Sequence, residues 1–160
     1  MRAFVTGGTG FVGKRLVALL RARGDDVVAL VRSPADAAGL DAEAVEGDLS
    51  SRQRLADAMG RADAVFHLAA VYKIGIPARE RAAMYEANVR GTENVLDAAR
   101  DAGVRRTVYV STVNAFGNTR GVVVDETYER PDGAYVSEYD RTKWLAHRVR
   151  RSGSHAATRS

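Results

Sequence analysis

Short apolar runs alternate along the chain with longer stretches whose apolar positions recur every three or four residues, and glycine or polar residues separate the two kinds of segment. The short runs predict strands at Ala3–Thr6, Val27–Val31, Ala44–Glu46, Ala64–His67 and Thr107–Ser111. The helical period predicts helices over Phe11–Arg23, Ser51–Met59 and Asn88–Ala102, with a shorter one near Ala78–Ala87. Val12, Leu16, Leu19 and Leu20 are expected to form the buried stripe of the first helix, closed by Gly24. Val89, Val95, Leu96 and Ala99 are expected to do the same for the helix that Gly103 closes. Strands alternating with helices need right-handed crossovers and give a parallel sheet covered on both faces. The fold class expected is therefore α/β, a doubly wound parallel sheet of Rossmann type. The alternation occupies residues 1–150, read as one domain, while "RSGSHAATRS" at residues 151–160 has no apolar period and reads as a disordered tail.

Composition narrows the function classes. At 160 residues and 46% hydrophobic, the chain can bury one substantial core but not two generous ones. The net charge of +4 is scattered, apart from Arg148, Arg150, Arg151 and Arg159 near the end, so no nucleic-acid partner is expected. With no cysteine, and with His67, His147 and His155 lacking ligand spacing, no metal site is expected either. "MRAFVTGG" passes from one arginine directly into a strand and a glycine loop, unlike a signal peptide, and no apolar run is long enough to span a bilayer. The expectation is a cytoplasmic protein with no membrane partner.

"VTGGTGFVG" follows the first strand and opens the first helix, with Gly7, Gly10 and Gly13 three residues apart. Such a turn uses glycine where the backbone bends sharply, where it must approach a pyrophosphate, and where helix packs on strand. The amides of the helix N-terminus then face the phosphates, which makes Gly7, Thr9, Gly10, Phe11, Val12 and Gly13 the expected phosphate-binding set. Some twenty residues later, at the end of the second strand, an acid would read the ribose 2′-hydroxyl of NAD. Arg32 stands there instead, in "ALVRSP", and a guanidinium suits a 2′-phosphate, so NADP is expected in preference to NAD.

Tyr139 and Lys143, in "YDRTK", share one helix face at i, i+4. A phenol is a poor base near its ordinary pKa of about 10, and a neighbouring ammonium is expected to lower that value. The pair can then exchange a proton with a substrate hydroxyl or carbonyl. Upstream, "VSTVNAFG" offers Ser111 and Thr112 as hydroxyls at a strand end.

Taken in order, "TGGTGFVG", "GDL", "FHLAA", "NVRGTENV", "VYVSTVNAFG" and "YDRTK" resemble the motifs of extended short-chain dehydrogenases/reductases, in the NAD(P)-dependent epimerase/dehydratase and dihydroflavonol-reductase-like branch. The resemblance runs from Met1 to about Arg150. It implies Tyr139 as acid/base, Lys143 as its partner and a ligand of the nicotinamide ribose, and Thr112 as the hydroxyl that orients the reacting oxygen. Ser111 is the competing candidate for that last role and a cofactor contact. Asp48 and Leu49 are implied at the adenine, and Leu68, Ala69 and Ala70 along the cofactor, with His67 architectural. Asn88 is implied as a support of the active site, with a helix N-cap as its competing role. The chemistry implied is hydride transfer at a carbinol or ketone carbon of a small-molecule substrate, from which epimerases and dehydratases diverge afterwards. "AAVYKIGIP" and the segment from Gly117 to Tyr139 are the implied substrate loops. Relatives pair through helices resembling 78–102 and 137–150, which implies a homodimer. In the family a further core strand and a C-terminal substrate portion follow the tyrosine helix, whereas here a polar tail follows, as in a truncated product. Two other readings are a non-catalytic, NADP-binding redox sensor and an inactive remnant of the enzyme.

Overall fold

A computed structural model describes residues 1–131 and 133–156. Strands β1 (Arg2–Thr6), β2 (Asp26–Val31), β3 (Glu43–Glu46), β4 (Ala64–His67) and β5 (Arg106–Tyr109) form one parallel sheet in the order β3-β2-β1-β4-β5. Helices α1 (Phe11–Ala22), α2 (Arg52–Met59), α3 (Ala78–Tyr85), α4 (Gly91–Asp101) and α5 (Glu138–Ala156) connect and follow the strands. From β1 the chain winds outward to β2 and β3, then returns to lay β4 on the other side of β1. The strand order thus reverses at β1, and a doubly wound sheet opens its crevice at the carboxyl ends of the strands beside such a reversal.

Side chains alternate across β1, and the core divides accordingly. Phe4 packs on one face with Val28, Val65, Leu55, Met59, Val95, Ala98 and Ala99, under α2 and α4. Ala3 and Val5 point to the other face, with Val27 and with Val17 and Leu20 of α1. Leu55 is 1% exposed at the centre of the first cluster. Truncating it to alanine is expected to lower unfolding free energy by about 2–5 kcal/mol, read from urea denaturation midpoints at constant slope.

The predicted strands and helices are all present, with boundaries displaced by at most three residues, and three details differ. Val12 and Leu19 are 59% and 57% exposed, so the buried stripe of α1 is Gly13, Val17 and Leu20, with Leu16 partly covered. Gly13 must lie against the loop after β1, and that contact sets the rotation of the helix. Secondly, α3 and α4 form one continuous helical stretch, joined by a π turn at Glu86–Arg90 in which Asn88 sits. Asn88 is therefore inside a helix and does not serve as its N-cap. Thirdly, the backbone of α5 continues to Ala156, past the expected boundary at Arg150, and residues 157–160 lie outside the described residues. Gly24 and Gly103, at φ +82° and +69°, close α1 and α4 as expected. β5 forms one edge of the sheet, where Val108 and Val110 are 47% and 40% exposed.

Candidate active site

The loop after β1 is built so that α1 begins almost in contact with it. Gly7 has φ +73°, and a methyl group there would lie 2.6 Å from the Ala69 amide nitrogen in the strand-end turn of β4. A methyl group on Gly13 would lie 2.1 Å from the Gly7 carbonyl oxygen, which already accepts the Gly10 amide at 3.1 Å. Gly10 is the N-cap, and its carbonyl accepts from Lys14 N at 2.9 Å. The amides of Phe11, Val12 and Gly13 precede that first helical bond and have no partner within the helix. The side chain of Phe11 is 96% exposed, so its contribution to a bound anion comes from its backbone.

Beside this loop a cleft of about 710 Å³ opens over the carboxyl ends of β1, β2 and β4. Of the residues expected at the cofactor, Gly7, Thr9, Gly10, Arg32, Asp48, Leu49, Leu68, Ala69 and Ala70 line it. Phe11, Val12, Gly13, Ser111, Tyr139 and Lys143 do not. Asp36, Ser50, Glu86, Arg90 and Asn94 also line the cleft and were missed by sequence reasoning. Those from the π turn and α4 carried no distinguishing signal, because only the winding of the helix turns them toward the cleft. Asn94 Nδ2 donates to the carbonyls of Leu49 (2.7 Å) and Ser50 (3.1 Å), fixing the loop after β3. Asp48 accepts from the Ser50 hydroxyl (2.6 Å) and amide (2.8 Å), and these bonds hold its carboxyl below the usual range.

His67, fully buried, anchors the cleft floor. Its Nδ1 lies 2.6 Å from Thr6 Oγ1, and its Nε2 lies 3.1 Å from Thr92 Oγ1. Thr92 gives its only hydroxyl proton to the Asn88 carbonyl at 2.7 Å, so Nε2 carries the imidazole proton and Nδ1 accepts from Thr6. Thr6 Oγ1 in turn accepts the Ala69 amide at 3.3 Å. Burial, reinforced by the charge of Lys143, lowers the imidazole pKa to about 3, so His67 stays neutral and structural.

Asn88 joins the two halves of the site. Its Oδ1 accepts from Val71 N at 2.7 Å, and its Nδ2 donates to Val71 O (3.0 Å) and to Thr142 Oγ1 (3.1 Å). Thr142 donates back to the Tyr139 carbonyl at 3.1 Å. One asparagine thus links the loop after β4 to the first turn of α5.

Tyr139 is half-buried, with its ring edge-on to Tyr72 at 4.7 Å between centroids. Burial raises its phenol pKa, the Thr112 side chain opposes the rise, and Tyr72 adds to it. The expected lowering by Lys143 is absent. Lys143 Nζ instead donates to the Val110 carbonyl at 3.0 Å and lies 4.6 Å from the centre of the Tyr109 ring, and burial lowers its own pKa to about 8. The geometry also separates the two hydroxyl candidates. Ser111 Oγ is 3.1 Å from His147 Nδ1 on the following turns of α5, whereas Thr112 Oγ1 accepts from Asn114 N at 3.3 Å and its side chain acts on the Tyr139 phenol. Among the described residues no cluster of carboxylates or histidines could hold a metal ion, and no helix is long and apolar enough to cross a membrane.

Fold and site together define a dinucleotide-binding α/β chain carrying a Thr/Tyr/Lys set at the carboxyl edge of its sheet. The chain belongs to the NAD dependent epimerase/dehydratase family, whose pattern it matches over residues 3–158. It is 40% identical over 153 residues to the 4-hydroxy-2-methyl-3-oxo-4-farnesyl-3,4-dihydroquinoline-1-oxide ketoreductase of Stigmatella aurantiaca, a match covering 93% of this chain and 45% of the relative. It is 32% identical over 163 residues to the UDP-glucose 4-epimerase of Erwinia amylovora, covering 94% of this chain and 48% of that one. A short-chain dehydrogenase/reductase superfamily protein from Agrobacterium tumefaciens, solved with NAD bound, superposes with a TM-score of 0.82 at 33% identity, covering 98% of this chain and 46% of that one. The chain spans a little under half the length of these relatives. The glycine cradle, which a single methyl would fill, and the free amides of α1 fit a dinucleotide pyrophosphate.

Proposed function

We propose that the chain is the cofactor-binding and proton-transferring part of an NADP-dependent oxidoreductase, epimerase or dehydratase of the extended short-chain type. The observation that carries the reading is the glycine-loop cleft over the carboxyl ends of the strands, beside which Asn88, through Thr142, holds the turn of α5 that bears Tyr139. When bound, the nicotinamide supplies or accepts the hydride. Tyr139 gives its phenolic proton to a substrate carbonyl oxygen in the reductive direction and takes it back in the oxidative one. Thr112 holds that oxygen by its hydroxyl, and Asn88 keeps the Tyr139 turn fixed against the loop after β4. Substrate and assembly, a small carbonyl or hydroxyl compound and a homodimer, rest on the family resemblance.

NADP is preferred because Arg32 is exposed at the end of β2 and makes no ion pair among the described residues. It lines both the main cleft and an adjoining cavity of about 600 Å³, which Arg54 also lines. Two guanidinium groups at that corner suit a 2′-phosphate better than a bare ribose. Calorimetric titration tests this. NADPH is expected to bind about tenfold or more tightly than NADH, and Arg32→Asp is expected to erase the difference. Equal affinity for the two would remove the role given to Arg32. No binding of either, by a chain shown to be folded, would remove the cofactor assignment.

A further inference from the structure

We infer that Arg130 is a positioning residue for the proposed reaction: it fastens the turn that carries Thr112 to the helix that carries Tyr139, and so sets the spacing of the two hydroxyls at the reacting oxygen. The inference rests on the proposed function for its meaning, but its geometry is independent of any cofactor. Arg130 lies in the long segment between the 3₁₀ turn at Val113–Phe116 and the start of α5. Its Nη1 and Nη2 donate to Asp140 Oδ1 and Oδ2 at 2.6 and 2.9 Å, a two-pronged ion pair whose side chains are only 4% and 2% exposed. Nη1 also donates to the Asn114 carbonyl at 3.0 Å, and Nη2 to that of Ala134. Asn114 is two residues beyond Thr112 and donates its own amide to Thr112 Oγ1 at 3.3 Å, while Asp140 directly follows Tyr139.

The surroundings make the connection stiff. Asp140 Oδ2 accepts from Val136 N at 3.0 Å, and Asp140 N donates to Ser137 Oγ at 3.1 Å, so the Asp140 carboxylate and the Ser137 hydroxyl cap the start of α5. Gly117, at φ +67°, brings the backbone so near that a methyl group there would lie 2.5 Å from Arg130 Nε, and the Tyr135 ring lies 4.8 Å from the guanidinium carbon. A buried ion pair is a poor device for stability alone, since apolar side chains of similar volume serve as well or better. What apolar groups would lack is the directed fork that reaches a carboxylate on one element and a carbonyl on another.

The test is an NMR double-mutant cycle on the full chain labelled with [13Cζ]tyrosine, the Tyr139 signal being assigned with Tyr139→Phe. The quantity read is the displacement of that signal caused by Thr112→Val, measured in the parent, in Arg130→Met and in Arg130→Lys. Loss of the fork is expected to shrink the displacement by about half or more in Arg130→Met, and by a smaller amount in Arg130→Lys, which keeps the charge but not both prongs. An unchanged displacement in both backgrounds would overturn the proposal. Folding of each variant is followed by urea denaturation, and if Arg130→Met does not fold, Arg130→Lys decides alone. Failure of the chain to bind NADPH would sink the proposed function without altering this cycle.

Discussion

Tyr139→Phe is expected to slow turnover of a ketone with NADPH by about 10²- to 10⁴-fold while leaving dinucleotide affinity unchanged within a few fold. The substitution removes one oxygen and keeps the ring, so the edge-on packing against Tyr72 at 4.7 Å survives and the start of α5 is undisturbed. The glycine cradle lies in a cleft that Tyr139 does not line, which is why affinity and rate should separate. In the proposed reaction the raised phenol pKa sets the expected pH dependence of the parent chain. At neutral pH the phenol is protonated and ready to donate, so the reductive rate should hold steady through neutrality. Acting as a base requires the phenolate, so the oxidative rate should climb as pH rises toward the phenol pKa. Initial rates in both directions across the pH range measure this. A Tyr139→Phe rate within twofold of the parent would take the proton-transfer role from Tyr139, whereas NADPH binding with no turnover in the parent itself would support the non-catalytic, redox-sensing reading.

Much of the site was legible because its parts are local. The glycine loop announces itself at three-residue spacing between a strand and a helix, and the Tyr139/Lys143 pair depends only on helical geometry. What escaped was long-range. The facing of α1 follows from where Gly13 must touch Gly7 and Gly8, and the exposure of Val12 and Leu19 is a consequence no apolar count along the helix contains. Lys143 was expected to act on the phenol from its place one turn away. In the fold the carbonyl of Val110, thirty-three residues earlier in the chain, claims its ammonium group. The choice between Ser111 and Thr112 could not be made from two adjacent hydroxyls at a strand end, because it turns on His147, thirty-six residues further on, reaching Ser111. Arg130 gave no signal at all. Its partners are a carboxylate ten residues on and a carbonyl sixteen residues back, joined only when the intervening segment folds over them.

Gly13→Ala should abolish useful dinucleotide binding, with affinity falling by about 100-fold or more, the equivalent of one or two charge-assisted hydrogen bonds. The added carbon would sit 2.1 Å from the Gly7 carbonyl oxygen and 2.7 Å from Gly8 Cα. Both are backbone atoms of a loop wedged against Ala69, so neither can swing aside as a side chain would. Relief requires α1 to withdraw from the loop, and that withdrawal carries the amides of Phe11–Gly13 away from where a pyrophosphate would lie. The same overpacking should cost about 1–3 kcal/mol of stability. Gly24→Ala is the matched comparison. Its φ of +82° makes the alanine strained, at a cost of about 1–2 kcal/mol, yet nothing lies within 4 Å of the new methyl and it is at the far end of α1. Similar losses of stability, with NADPH affinity lost in Gly13→Ala and kept in Gly24→Ala, would show that Gly13 acts through the position of the helix start and not through overall stability. If Gly13→Ala bound NADPH as tightly as the parent, the pyrophosphate could not lie on the amides of α1, whatever else the cleft holds.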